Sequence, residues 1–153
     1  MEVYGWLILR VTYAWMFLYP LKGLLIDWSS TKNLTQLVIP CQKLASLLAV
    51  LMCLTMLLGA LSILLGFYGQ IAGLALSIYC LMGAVVHYRL ATQAEKISLS
   101  SEASLADQQS LKQCIQLSVV GNTTSAQKNL VLAAVGCFFM LMGTGPCSLA
   151  FFS

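Results

Sequence analysis

Charge is what this sequence has least of. Only 8% of its 153 residues are Asp, Glu, Lys or Arg, and five of those are acidic, against about a quarter in an ordinary soluble domain. There is too little polar surface here to keep a folded chain in water. A single histidine excludes a haem held by two histidines, and no spacing of histidine with cysteine or carboxylates matches a metal site. The six cysteines form no CxxC pair and fall in or beside apolar stretches, so they read as small packing residues rather than a disulfide scaffold. The net charge of +3 is small and its basic residues sit at the ends of apolar segments, which argues against nucleic acid as a partner.

What the sequence has in quantity is apolar length. Hydrophobic residues make up 59% of the chain, and crossing a hydrocarbon core takes about 20 of them in a row. Four stretches qualify, at about 3–21, 44–65, 69–90 and 128–146, with polar surface segments at 22–43 and 91–127. This predicts an all-α integral membrane four-helix bundle forming one domain over 1–153, with the lipid bilayer as its first partner. The first span lacks a basic leading region and a small-residue cleavage site, so it is expected to be retained. It ends at Pro20 and the Lys22, Gly23 pair; Gly66 begins a tight hairpin between the second and third spans.

The segment 22–43 is too polar to span and reads as a surface loop or short helix, with Trp28 as an interfacial anchor. In 91–127, Ser104 and Asp107 resemble a capping box, and Leu111 with Ile115 suggests a short amphipathic helix. Gly143 to Pro146 stops the last span, and Phe151 and Phe152 fit an interface. Seven of the eight basic residues lie in these two long segments or at their edges, and none lies at either terminus. The positive-inside rule therefore puts both long loops in the cytoplasm and both termini outside. Two sequons, at Asn33 and Asn122, fall in those same loops and would be glycan acceptors only if the loops were luminal.

Arg10 is the clearest departure from plain membrane packing. A guanidinium inside an apolar span costs several kcal/mol unless it is paired or wetted, and the other spans supply no carboxylate at its depth. Backbone carbonyls at the C-terminal end of the second span, or Thr12, Tyr13, Tyr68 and Gln70, are the available acceptors. A structural role and a ligand-binding role, toward an anionic headgroup or a quinone carbonyl, are both open. His87, beside Tyr88 and Arg89 and at about the depth of Lys22 and Asn129, marks a second convergence of polar side chains. It fits an interfacial belt or a set of hydrogen-bond partners for a quinone head. Arg10, Lys22, His87, Arg89 and Asn129 are thus the candidate ligand-binding residues. Cys53, Cys80 and Cys137 share a depth on three different spans and would form a thiol cluster only if their faces agree. The glycines at 59, 66, 73 and 83 read as places where helix backbones approach closely.

Three stretches resemble the DoxX family of small four-helix membrane proteins. They are Leu9-Arg10-Val11 through Pro20-Leu21-Lys22; Gly59 to Gly66 with the span ending at His87; and Gln127-Lys128-Asn129-Leu130 through Gly143-Thr144-Gly145-Pro146-Cys147-Ser148. Two family carboxylates are missing, with Met56 standing where many members have a glutamate and Ala150 where many have an aspartate. Members are often drawn with cytoplasmic termini, opposite to the orientation that the loop charges give. The resemblance implies an accessory membrane subunit of a larger membrane-bound oxidoreductase or energy-transducing complex, in company with other membrane protein subunits. The alternatives are a quinone-linked oxidoreductase subunit of the thiosulfate–quinone type or a small transporter, the last disfavoured because the spans hold no acidic residue for ion coupling. No cofactor motif stands in the sequence, and quinone is the cofactor the resemblance allows. A bacterial inner membrane is the expected location.

Overall fold

The computed structural model describes residues 2–36, 39–97, 105–146 and 148. Among them every regular element is helical: α1 (Glu2–Ile26), α2 (Trp28–Gln36), α3 (Gln42–Leu65), α4 (Gly69–Ala94) and α5 (Leu105–Met142). Three of these, α3, α4 and α5, are long and apolar enough to cross a membrane. The sequence had suggested four such helices. The difference lies in α1, whose 25 residues include Glu2, Arg10, Pro20 and Lys22, which dilute its hydropathy. The fifth helix is α2, formed by the polar stretch after the first span.

Two boundaries drawn from the sequence also move. Pro20 does not end the first helix, which runs on through Lys22 and Gly23 to Ile26; a proline removes one backbone donor but leaves the flanking hydrogen bonds. The polar stretch before the last span is not a loop with a short helix of its own. From Leu105 it is continuous with that span as one helix of 38 residues, about 57 Å long at 1.5 Å per residue, nearly twice a hydrocarbon core of about 30 Å. Asp107 lies in its first turn, while Ser104, the other half of the suspected capping box, falls outside the described residues, as do Phe151 and Phe152.

The helices pack in the order α1, α3, α4, α5, with α2 laid against α1 and α3. Small residues are common among those that face inward along α3. Along α3 the buried positions are Ala45, Ala49, Cys53, Met56, Gly59, Ala60 and Ile63, a stripe at helical spacing, while Leu47, Leu51, Leu54, Leu58 and Leu61 face out. Where the surroundings are as apolar as the core, burial of leucine brings no advantage and close backbone approach does. The α4–α5 crossing is the tightest case. A Cβ on Gly73 would lie 2.6 Å from the Gly136 carbonyl oxygen, and one on Gly136 would lie 2.4 Å from Ser77 Oγ and 2.6 Å from the Tyr13 hydroxyl. The hydroxyls so placed tie the helices together: Ser77 Oγ reaches the Ala133 carbonyl at 3.0 Å, and the Tyr13 hydroxyl donates to the Leu132 carbonyl at 3.0 Å.

α3 ends in a Schellman motif. Gly66 adopts φ +75°, with its N–H on the Ile63 carbonyl at 3.2 Å and the Phe67 N–H on the Ser62 carbonyl at 3.0 Å. This turn reverses the chain into α4 and prepares one end of the bundle for Arg10.

Candidate functional site

Polar chemistry gathers at the two ends of the bundle. At the first, Arg10 is only 3% exposed. Its Nε donates to the Ile63 carbonyl at 3.0 Å and an Nη donates to the Leu64 carbonyl at 2.5 Å. The guanidinium therefore caps the C-terminus of α3, where the carbonyls left over by the helix carry partial negative charge. These are among the acceptors available to it in the sequence. The segment after α5 closes over the same place. Thr144 Oγ1 donates to the Gly66 carbonyl at 3.4 Å, and the backbone of Gly145 lies against the Trp6 ring. Gly66 itself has no room for a side chain, since a Cβ would meet Ser148 Cα at 2.7 Å and an Arg10 Nη at 3.0 Å. Three stretches far apart in sequence thus meet in one polar knot inside an apolar setting, with Trp6 stacked on Phe138 beside it at 5.2 Å between ring centres.

At the second end, a cavity of about 310 Å³ lies among all five helices. Its walls are apolar and soft, with Met16, Met52, Met56 and Met82 on three helices and the rings of Phe17 and Tyr79. Methionine side chains adapt their shape at little cost. The cavity's imidazole, amide and ammonium groups come from α4 and α5. His87 comes from α4, and Ser125, Lys128 and Asn129 come from α5. Thr31 and Thr35 of α2 also line it, but their hydroxyls serve the fold. Thr31 Oγ1 donates to the Leu24 carbonyl at 2.8 Å, and Thr35 Oγ1 reaches the Lys32 and Ala45 carbonyls at 2.8 and 2.9 Å. These bonds hold α2 across α1 and α3 as one wall of the cavity.

Two local features set the polar side. His87 Nδ1 lies 2.9 Å from Asn122 Oδ1, so a residue one turn along α5 from Ser125 holds the imidazole. Asn129 packs over Gly83, where a Cβ would stand 3.0 Å from its Nδ2; the missing side chain is the space that the amide uses. A pocket of this size, apolar with a few convergent polar groups, is the ordinary form of a small-molecule site.

Of the five residues singled out in the sequence, His87 and Asn129 line this cavity, whereas Arg10, Lys22 and Arg89 do not. Arg10 is at the opposite end, and Lys22 and Arg89 are exposed. Sequence reasoning missed Lys128, Ser125 and Asn122 as site residues. Asn122, Ser125 and Asn129 share one helical face, but only if the helix runs unbroken through residue 127, where the polar segment and the span had been divided. The suspected cysteine cluster is not formed: among the described residues no three His, Cys, Asp or Glu side chains are grouped so as to hold a metal. Cys53 and Cys80 are buried while Cys137 faces outward. The sequon at Asn33 depends on Thr35, whose hydroxyl is consumed inside the fold, and Asn122 is engaged with His87.

Long apolar helices, outward-facing leucines and polar side chains concentrated toward the two ends define a helical membrane protein. A family model for DoxX matches residues 5–89, more than half of the chain, and the protein belongs to the DoxX family. No curated protein and no solved structure matches it.

Proposed function

We propose that this DoxX protein is a membrane subunit of a larger membrane-bound oxidoreductase, and that its cavity holds a quinone-class ligand. The observation that carries the reading is the cavity of about 310 Å³, apolar on most sides and polar at His87, Lys128 and Asn129. The residues fit such a ligand: the methionine wall suits an isoprenoid or alkyl tail, and an amide, an ammonium and an imidazole suit the two ring oxygens. A quinone bound there would supply two-electron, two-proton redox chemistry. The chain's own part is to take the tail out of the lipid, to orient the ring by hydrogen bonds from Asn129 and Lys128, and to place His87 against one oxygen.

In this reading α1 is a fourth span. Its exposed face carries Val3, Tyr4, Leu7, Ile8, Val11 and Trp15, and its one buried charge is turned inward onto α3. Arg10 then serves structure rather than ligand. The loop charges favour cytoplasmic placement of α2 and of the first half of α5, so the cavity opens toward the cytoplasmic leaflet. A bacterial inner membrane is the setting in which such a subunit would work.

One feature supports a purely accessory role as a second reading. The N-terminal half of α5 is polar yet exposes Leu105, Leu117 and Val120, and at about 57 Å the helix is too long for the bilayer alone. Purification of the tagged protein in mild detergent, with mass spectrometry of co-purifying proteins and lipids, separates the readings. Redox subunits with quinone support the first, redox subunits without quinone leave the accessory role, and the protein alone without quinone refutes both.

A further inference from the structure

Resting on the quinone-class reading of the cavity, we infer that His87 presents a hydrogen-bond acceptor to the ligand, so that the site selects the reduced, hydroxyl-bearing hydroquinone over the quinone. The argument begins at Asn122. Its Nδ2 donates to the Ser118 carbonyl at 2.9 Å, which fixes the two ends of the amide; turned over, its oxygen would face that carbonyl, acceptor against acceptor. The end toward His87 is therefore Oδ1, 2.9 Å from Nδ1. A carbonyl oxygen brings no proton to that bond, so the proton is on Nδ1. A neutral imidazole has only one, and Nε2 is left with its lone pair.

This lone pair discriminates between two molecules of nearly the same shape. Both ring oxygens of a quinone are acceptors and gain nothing from Nε2, whereas a hydroquinone donates an O–H to it. Asn129 Nδ2 and Lys128 are donors and can serve either form, because a hydroxyl oxygen accepts as a carbonyl oxygen does. Discrimination thus falls on His87, and Asn122 is the positioning residue that sets its tautomer. A buried polar group left unmatched in one form and matched in the other corresponds to a preference of about tenfold.

The chain has one histidine, so nitrogen-15 NMR of imidazole-labelled protein in lipid nanodiscs reads His87 without assignment. At mildly alkaline pH the Nδ1–H tautomer is expected in the wild type and its loss in Asn122→Leu. In the same nanodiscs, equilibrium dialysis with decylhydroquinone, kept reduced with ascorbate, and with decylbenzoquinone should show the reduced form binding about tenfold tighter. Asn122→Leu should bring the two affinities together, and Asn129→Leu should weaken both alike. An Nε2–H tautomer in the wild type, or equal affinities for the two forms, overturns the selectivity and leaves the quinone-class reading standing. Failure of both to bind overturns that reading and the selectivity with it. The wild-type measurements decide the matter even if a variant does not fold.

Discussion

Replacing Arg10 with leucine tests what holds the bundle's first end together. The change removes two charge-assisted hydrogen bonds, to the carbonyls of Ile63 and Leu64, worth about 1.5–3 kcal/mol each and so about 3–6 kcal/mol gross. Against this, a buried arginine costs about 2.5–3.5 kcal/mol in a span and a leucine gains about 0.5. The Ile63 carbonyl keeps the Gly66 N–H, but the Leu64 carbonyl loses its guanidinium donor in a water-poor setting. The first two amounts differ by about 1 kcal/mol and the stranded carbonyl adds about 1 more, a net loss of about 2 kcal/mol, which for a chain of this size lowers Tm by about 4–8 °C. Arg10→Lys keeps the charge without the planar fork and should lose about half as much. The assay is thermal unfolding in nanodiscs followed with a thiol-reactive dye. Cys41 and Cys114, exposed and outside the apolar runs, react at once, while Cys80, with no exposure, reports the opening of the core. A leucine variant as stable as the wild type, or more so, would refute the capping argument and return Arg10 to the ligand-binding residues.

Gly136→Val should damage the α4–α5 crossing. Its Cβ would collide with Ser77 Oγ and the Tyr13 hydroxyl, for a loss of about 2–4 kcal/mol in the same dye assay; a variant with unchanged Tm would show the crossing to be looser than described. Gly83→Ala should leave Tm nearly unchanged, because only the mobile end of Asn129 must shift, yet lower quinone-class affinity in equilibrium dialysis by about tenfold through one displaced hydrogen bond. Thr35→Val should speed amide hydrogen exchange across α2 at a cost of about 1 kcal/mol, since it cuts the bond to the Ala45 carbonyl; unchanged exchange would mean that α2 is held by other contacts. Exposed Cys114 on α5, kept as the sole cysteine, should be labelled by a membrane-impermeant maleimide in inverted membrane vesicles and not in intact cells. The opposite result would reverse the orientation taken from the loop charges.

The parts of this fold that were legible in the sequence are those set by amount of apolar surface. The hairpin at Gly66 could be read because two long apolar runs flank a short break, and the end of α5 because Gly143 to Pro146 cannot continue a helix. Arg10 could be marked because one charge in an apolar run demands a partner, and its acceptors could be narrowed to a few groups by depth alone. Legibility failed wherever facing mattered. In a soluble helix the apolar stripe tells which side is buried, but α3 is apolar all round, and its inward stripe differs only by an excess of alanine, glycine and cysteine that Met56 and Ile63 interrupt. For the same reason, equal depth groups Cys137 with Cys53 and Cys80, whereas it is turned outward. The unbroken α5 was hidden by a change of composition near residue 127, where polarity marks the edge of the bilayer and not the end of the helix. That mistaken division also concealed most of the site. Asn122 lies in what had been read as a surface segment and Asn129 in a span, and only their place on one continuous helix brings Asn122 to His87 and Asn129 to the cavity that His87 lines.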